Sequence, residues 1–323
     1  MTRRQTAFIL AKITFACCVL ACLFHKTNLS YVWSSVHDAH RIPIVIGIIL
    51  CLITVVIAGW RWKRLLAMIG INAPVGQLIC IAQIGQFFTL FLPGPAGDDL
   101  TRMLYISRIA KGRIAEACAT VVIDRLIGLA CTFVMAFLCI PWQWRVLALS
   151  HQTYWMALAM LGAGSLVSIF GTIFFMAGHP THLWFEHRLR ALPATSFRDE
   201  LARIWGLLCI NKSIVAQVIC AAFVTQLLVC MIFYLAGLAV GIDVPLFVWM
   251  GFVPIVLAAS AMPVTLAGLG VREYLFVLFL GIIAHVQREQ ALAASFVVLT
   301  IILTVASVGG ILYIFYRPTA QTK

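Results

Sequence analysis

The chain alternates long apolar runs with short polar breaks. Runs from about Ala7 to Phe24, Pro43 to Trp60, Ile114 to Ile140, Trp155 to Ala177, Ile214 to Val240 and Ala291 to Tyr316 are each long enough, as helices rising about 1.5 Å per residue, to cross a hydrocarbon core about 30 Å thick. The pattern predicts six spanning helices. Two further apolar stretches, 77–112 and 248–285, are interrupted near their middles. The first break reads Phe91-Leu92-Pro93-Gly94-Pro95-Ala96-Gly97-Asp98-Asp99-Leu100-Thr101-Arg102, and the second runs from Pro263 through Gly268-Leu269-Gly270-Val271-Arg272-Glu273. Both share a frame of proline, small residues and glycines, with an arginine nine positions after the proline.

A broken helix is tolerated in hydrocarbon where it is buried in protein or lines a wet cavity. Each limb of these stretches is too short for a comfortable crossing, reaching ~21 to 24 Å by helical rise. Both are therefore read as re-entrant hairpins with tips near mid-membrane. An ordinary span at the first stretch would place Arg188, Arg190, Arg198, Arg203 and Lys212 on the opposite side from the clusters Arg3-Arg4 and Arg61 to Arg64. Short-loop Lys and Arg favour the cytoplasm, so the hairpin satisfies the charge rule. For the second stretch, two short spans return the chain to the same side as a hairpin does, and only the analogy with the first favours the hairpin.

Each half then reads span, span, broken hairpin, span. The sequence predicts an all-α polytopic membrane protein: an inverted repeat with six full spans plus two re-entrant hairpins. The first repeat occupies residues 1–140 and the second, inverted because three crossings precede it, residues 141–323. Both termini and the basic linker fall on the cytoplasmic side. Trp60-Arg61-Trp62-Lys63-Arg64 reads as an interfacial cytoplasmic anchor, and Pro141-Trp142-Gln143-Trp144 as the outer end of its span. The run 7–24 reads as a retained span, since Val19-Leu20-Ala21-Cys22 is a poor cleavage box.

Composition agrees. Of 323 residues 63% are hydrophobic and 11% charged, and the mean hydropathy is +1.04, which excludes a soluble globule with one core. The net charge of +12 comes from short clusters beside apolar runs, where it sets orientation and meets anionic lipid headgroups rather than nucleic acid. The eleven cysteines lack metal-ligand spacing and read as small buried hydrophobes. His179, His182, Glu186 and His187 fit no zinc-protease pattern. No metal or cofactor is expected, and no catalytic residue is assigned.

The charges inside the apolar stretches carry the candidate chemistry. A charge at the helix centre costs about 2.5 to 3.5 kcal/mol on insertion scales, so such residues should face the protein interior. Arg102, Arg125 and Arg272 are the candidate substrate-binding cations. Asp98, Asp99, Asp124 and Glu273 are candidate charge partners or proton carriers, and Pro93, Gly94, Gly97, Pro263, Gly268 and Gly270 break the helices. Arg102 either meets an anion or is held by Asp98 or Asp99 one helical turn away. Arg272 has Glu273 beside it but about 100° around the helix, which leaves it freer to meet a phosphate or Asp124. The alternative is a static buried network that fixes helix packing.

Leu92-Pro93 with Gly97-Asp98 and Arg102, then Ile123-Asp124-Arg125-Leu126-Ile127-Gly128-Leu129, then Met262-Pro263 with Gly268-Leu269-Gly270-Val271-Arg272-Glu273 resemble the three signature stretches of the lysylphosphatidylglycerol synthase transmembrane-region family, also called flippase-like. The first departs from the family pattern, with Gly97-Asp98-Asp99 where Gly-Gly-Asp is expected. The resemblance implies a multi-pass inner-membrane protein that moves an anionic phospholipid or polyprenyl-phosphate-linked lipid between leaflets. Its expected partners are membrane lipids and envelope-synthesis enzymes. Bifunctional members continue into a soluble aminoacyl-transferring domain; this chain stops at Lys323, so synthase activity is not expected. The rival readings are a membrane enzyme of envelope lipid or glycan synthesis and a non-transporting partner of one.

Overall fold

The computed structural model describes residues 38–92, 96–110, 112–148, 150–176, 206–261 and 270–315. The first apolar run, Pro93, Gly94, Pro263, Gly268 and the linker histidines lie outside the described residues. The helices are α1 (Arg41–Met68), α2 (Val75–Thr89), α3 (Ala96–Ile109), α4 (Ile114–Leu147), α5 (His151–Met176), α6 (Lys212–Ala239), α7 (Leu246–Ala261), α8 (Val271–Ala284) and α9 (Arg288–Phe315). Five helical segments, Arg41–Met68, Ile114–Trp144, His151–Phe175, Lys212–Ala239 and Arg288–Phe315, are long and apolar enough to cross a membrane. Val75–Thr89 and Leu246–Ser260 are shorter apolar helices. The chain is thus an all-helical, multi-pass membrane protein.

Two spans differ from their expected ends. Helix α1 runs past Trp60 to Met68 and buries Arg61 and Trp62, where an interfacial anchor was expected. Burial is tolerated because both polar groups are satisfied on α4: Arg61 by Asp124, and the Trp62 indole N–H by Thr120 Oγ1 at 3.1 Å. Helix α4 continues through Pro141 to Leu147 instead of stopping at Ile140, so the expected boundary between halves falls inside it. Gln143 explains the extension: its side chain is buried and donates to the Phe247 carbonyl of the next layer at 2.7 Å.

The turn after α1 sets up the first hairpin. Gly70 adopts a φ of 75°, and the amides of Gly70 and Ile71 take up the carbonyls of Ala67 and Leu66, closing the helix end. Helices α2 and α3 then pack along each other, and Gly70 lies against the Arg113 guanidinium. The residues that precede α2 and follow α3 thus come close to one another. Close approach at its tip depends on two glycines. A methyl group on Gly97 would sit 2.3 Å from the Phe88 carbonyl carbon, and one on Gly85 would sit 2.2 Å from Asp98 Oδ1. Lacking side chains, they let the start of α3 press its aspartate onto α2.

Two of the helix contacts are built alike. Helix α2 packs on α9, and α7 packs on α4. In the first contact Gln83 donates to the Val305 carbonyl at 2.5 Å while Gly309 lies under the Gln83 backbone. In the second Gln143 donates to Phe247 while Gly251 lies under the Gln143 amide. Helices α1 and α6 form the most extensive pair and run antiparallel, as His40 N–H bonded to the Ala239 carbonyl at one end and Arg64 bonded to Gln217 at the other require. The larger apolar core joins α4, α6, α7, α8 and α9 around Trp249, Phe252, Phe276 and Phe279, with Phe252 and Phe279 stacked at 5.5 Å. A smaller one gathers Trp62, Leu66, Leu78, Ile81, Ile106 and Val121 under the first hairpin.

Candidate functional site

Five of the charged residues singled out in the sequence converge where α3 meets α1 and α4, and a sixth joins them. Asp98 and Asp99 lie in the first turn of α3, where the unpaired amides and the positive end of the helix dipole favour negative charge. Arg102 follows one turn later and donates from Nε to Asp98 Oδ1 at 2.8 Å. Its Nη1 reaches Asp124 Oδ2 on α4 at 3.3 Å. The sixth residue, Arg61 of α1, grips the same carboxylate with two parallel bonds, Nε to Oδ1 at 2.5 Å and Nη2 to Oδ2 at 2.9 Å. Arg125 closes the group from α4: Nη2 bonds Asp99 Oδ1 at 2.7 Å and Asp98 Oδ2 at 3.1 Å, and Nε bonds Asp99 Oδ1 at 3.1 Å.

Three guanidiniums thus face three carboxylates. The group carries no net charge, which lets it lie within an apolar protein. Asp124 lies ~15 Å from the start of α4, and Arg61 ~10 Å from the end of α1, by helical rise. With Gly70 beside Arg113, both estimates put the network well inside the helix bundle. Arg61, Arg102, Asp98 and Asp124 are buried, and the Trp62 ring covers the Arg102 guanidinium at 5.5 Å. The Arg125 and Asp99 side chains, by contrast, are 43% and 25% exposed. The network has one open side.

Arg272 and Glu273 do not join this group. Arg272 donates from Nη2 to Glu273 Oε1 at 2.7 Å and from Nε to Glu273 Oε1 and Ser295 Oγ, both at 3.2 Å. The other carboxylate oxygen accepts the Gly270 amide at 2.6 Å. The expectation that Arg272 stands free for a phosphate or Asp124 is therefore corrected. Adjacent helical residues diverge at Cβ, but an arginine is long enough to curl back onto its neighbour, and burial of Glu273 at 0% exposure makes that pairing the favoured state. Arg102, too, has its aspartate partner one turn away, with Asp124 in addition. Replacing Arg272 with Ala should strand a buried carboxylate and lower the thermal midpoint of the purified protein by several degrees. Adding Glu273→Gln should restore part of the loss, as read by melting in detergent; an unchanged midpoint in Arg272→Ala would remove the structural role.

The family model for the lysylphosphatidylglycerol synthase TM region matches residues 9–310. The chain belongs to this family. A search of curated proteins finds no match. The match takes in both interrupted apolar stretches and all six charges of the network.

Sequence reading passed over Arg61, Thr120 and Ser295. Arg61 had a signal: Trp62, Leu65, Leu66 and Ile69 continue the apolar pattern through the basic cluster, and Leu65, one turn on from Arg61, is buried. Asp124 supplied another, since a membrane carboxylate with several arginines to choose from needs a definite partner. Ser295 had no signal, because a lone serine in an apolar helix bonds its own backbone as readily as a distant charge. Among the described residues no group of three or more His, Cys, Asp or Glu is arranged to hold a metal ion.

Proposed function

We propose that this protein moves a lipid with an anionic phosphate headgroup, an anionic phospholipid or a polyprenyl-phosphate-linked lipid, between the leaflets of the inner membrane, and is a transporter rather than an enzyme. One observation carries the reading: a neutral network of three arginines and three aspartates inside a membrane bundle is buried except on the side of Arg125 and Asp99. A phosphate arriving at that side replaces Asp99 on the Arg125 fork, two oxygens for two donors. Asp99, released, is the group placed to take up a proton, so that headgroup and proton travel together. Arg102 and Arg61 hold the field positive behind Arg125, and Asp98 and Asp124 keep them in place.

The same proposal gives the architecture. Both hairpins are re-entrant, and the halves form an inverted repeat exchanging α1 with α6, α2 with α7, α3 with α8 and α4 with α9. Support comes from the reciprocal packing of α2 on α9 and α7 on α4, the antiparallel α1–α6 pair, and the return of the first hairpin to Gly70 and Arg113. Termini and the linker around Arg198 face the cytoplasm. Labelling of a single cysteine at position 198 in intact cells checks this, the expected result being protection from an impermeant reagent until the membrane is opened; labelling from outside would overturn the topology.

The function is tested in proteoliposomes of the purified protein, with fluorescent phosphatidylglycerol, phosphatidylcholine and a polyprenyl phosphate as separate cargoes. Faster scrambling of an anionic cargo than of phosphatidylcholine is expected. The complete pairing of all six charges favours a second reading, a static membrane partner of an envelope-synthesis enzyme. Absence of movement for every cargo, with the protein folded and inserted, would decide for it.

A further inference from the structure

An open apolar groove of about 490 Å³ lies between α1 and α6, lined by Val56, Ile57, Trp60, Gln217, Cys220, Ala221 and Val224. It faces outward: Val56 is 48% and Val224 41% exposed, on a flank that in a membrane bundle meets lipid. Polarity changes along its length. Because the helices run antiparallel, Val56 and Val224 mark an apolar end, Trp60 and Ala221 the middle, and Gln217 with Arg64 the other end, where Arg64 Nη2 donates to Gln217 Oε1 at 2.6 Å. The Arg64 guanidinium also lies 5.9 Å from the centre of the Trp60 ring.

Arg64 is chemically unlike the buried arginines. Arg61, Arg102 and Arg272 each have a carboxylate; Arg64 has a neutral amide, and its Nε is shielded from solvent without a hydrogen-bond partner. A shielded donor on an uncompensated cation, above an apolar trough and beside the Trp60 ring, matches a lipid phosphate joined to an acyl chain. Lys63, next in the chain, adds a second positive charge at the same level. We propose that this groove holds one anionic phospholipid, its acyl chain against Val56, Ile57, Ala221 and Val224 and its phosphate on Arg64. The site is separate from the six-charge network and requires no transport, so it stands or falls independently of that reading.

The test is native mass spectrometry of the whole purified protein, released from detergent after incubation with equimolar phosphatidylglycerol and phosphatidylcholine of identical chains. One phosphatidylglycerol should be retained in preference, by about fivefold, the worth of one basic residue against an anionic headgroup. Arg64→Gln should abolish the preference while leaving residual binding of both lipids. Ala221→Phe, which fills the trough, should reduce retention of both; if that variant fails to fold, Val224→Trp at the exposed lip serves in its place. Equal retention of the two lipids by the wild type, or an unchanged preference in Arg64→Gln, would overturn the proposal. So would unchanged phosphatidylglycerol retention in the filled-groove variant. If filling the groove instead lowers the oligomeric mass of the purified protein while lipid retention is unaffected, the occupant is a second copy and the proposal fails.

Discussion

Replacing Asp124 with alanine is expected to destabilise the protein by about 3 to 5 kcal/mol, the penalty of leaving buried cations without their counter-charge. Asp124 is the shared anion of the network: it takes both bonds from Arg61 and one from Arg102. Arg102 keeps Asp98 after the change, but Arg61 has no second carboxylate. Asparagine should recover little, since it preserves the shape and one acceptor while removing the charge. The control is a double replacement, Arg61→Leu with Asp124→Leu, which removes cation and anion together. It should be milder than Asp124→Ala alone, because an apolar pair of similar volume is often neutral where a broken ion pair is not. Thermal unfolding in detergent reads the effect, and a single variant as stable as the wild type would mean that the buried charges are not coupled as their geometry indicates.

Replacing Arg125 with alanine is expected to leave the fold intact and to slow anionic-lipid movement in proteoliposomes by about 10- to 100-fold, the worth of one lost pair of charge-assisted hydrogen bonds. The difference from Asp124 lies in exposure. Arg125 is nearly half exposed, and its loss leaves Asp98 bonded to Arg102 and Asp99 partly open to its surroundings. An ion pair of that kind contributes about 0 to 1 kcal/mol to stability, so folding and function separate at this residue. Lysine should rescue in part, because an ammonium supplies charge without the planar fork. Full transport by a folded Arg125→Ala protein would remove this residue from the proposed path, and a collapse in stability equal to that of Asp124→Ala would assign it to the scaffold.

These variants differ because adjacent residues of α4 face different ways, Asp124 into the bundle and Arg125 toward its open side, and burial was the quantity hardest to read from sequence. Apolar run length alone determined the all-helical, membrane-spanning class, because hydrocarbon admits no backbone that is not internally bonded, and it placed the ends of the described spans to within a few residues except where α1 runs on to Met68 and α4 to Leu147. Spacing also singled out Asp98, Asp99, Arg102, Asp124 and Arg125, since an ionised side chain in an apolar run needs a reason wherever it falls. Partner choice was not legible. Arg61 looked like part of a surface cluster until α4 supplied Asp124, and Arg272 looked free until the chain folded it back onto Glu273 and brought Ser295 across from α9. Three arginines of equal chemistry and four acids allow many pairings, and helical periodicity constrains only those within one helix. What chose among them was tertiary: the glycines at 85 and 97 that let α3 press Asp98 against α2, and the antiparallel run of α1 along α4 that brings Arg61 level with Asp124. In a low-dielectric interior each charge must find its partner within hydrogen-bond reach, and that reach is set by which helices touch.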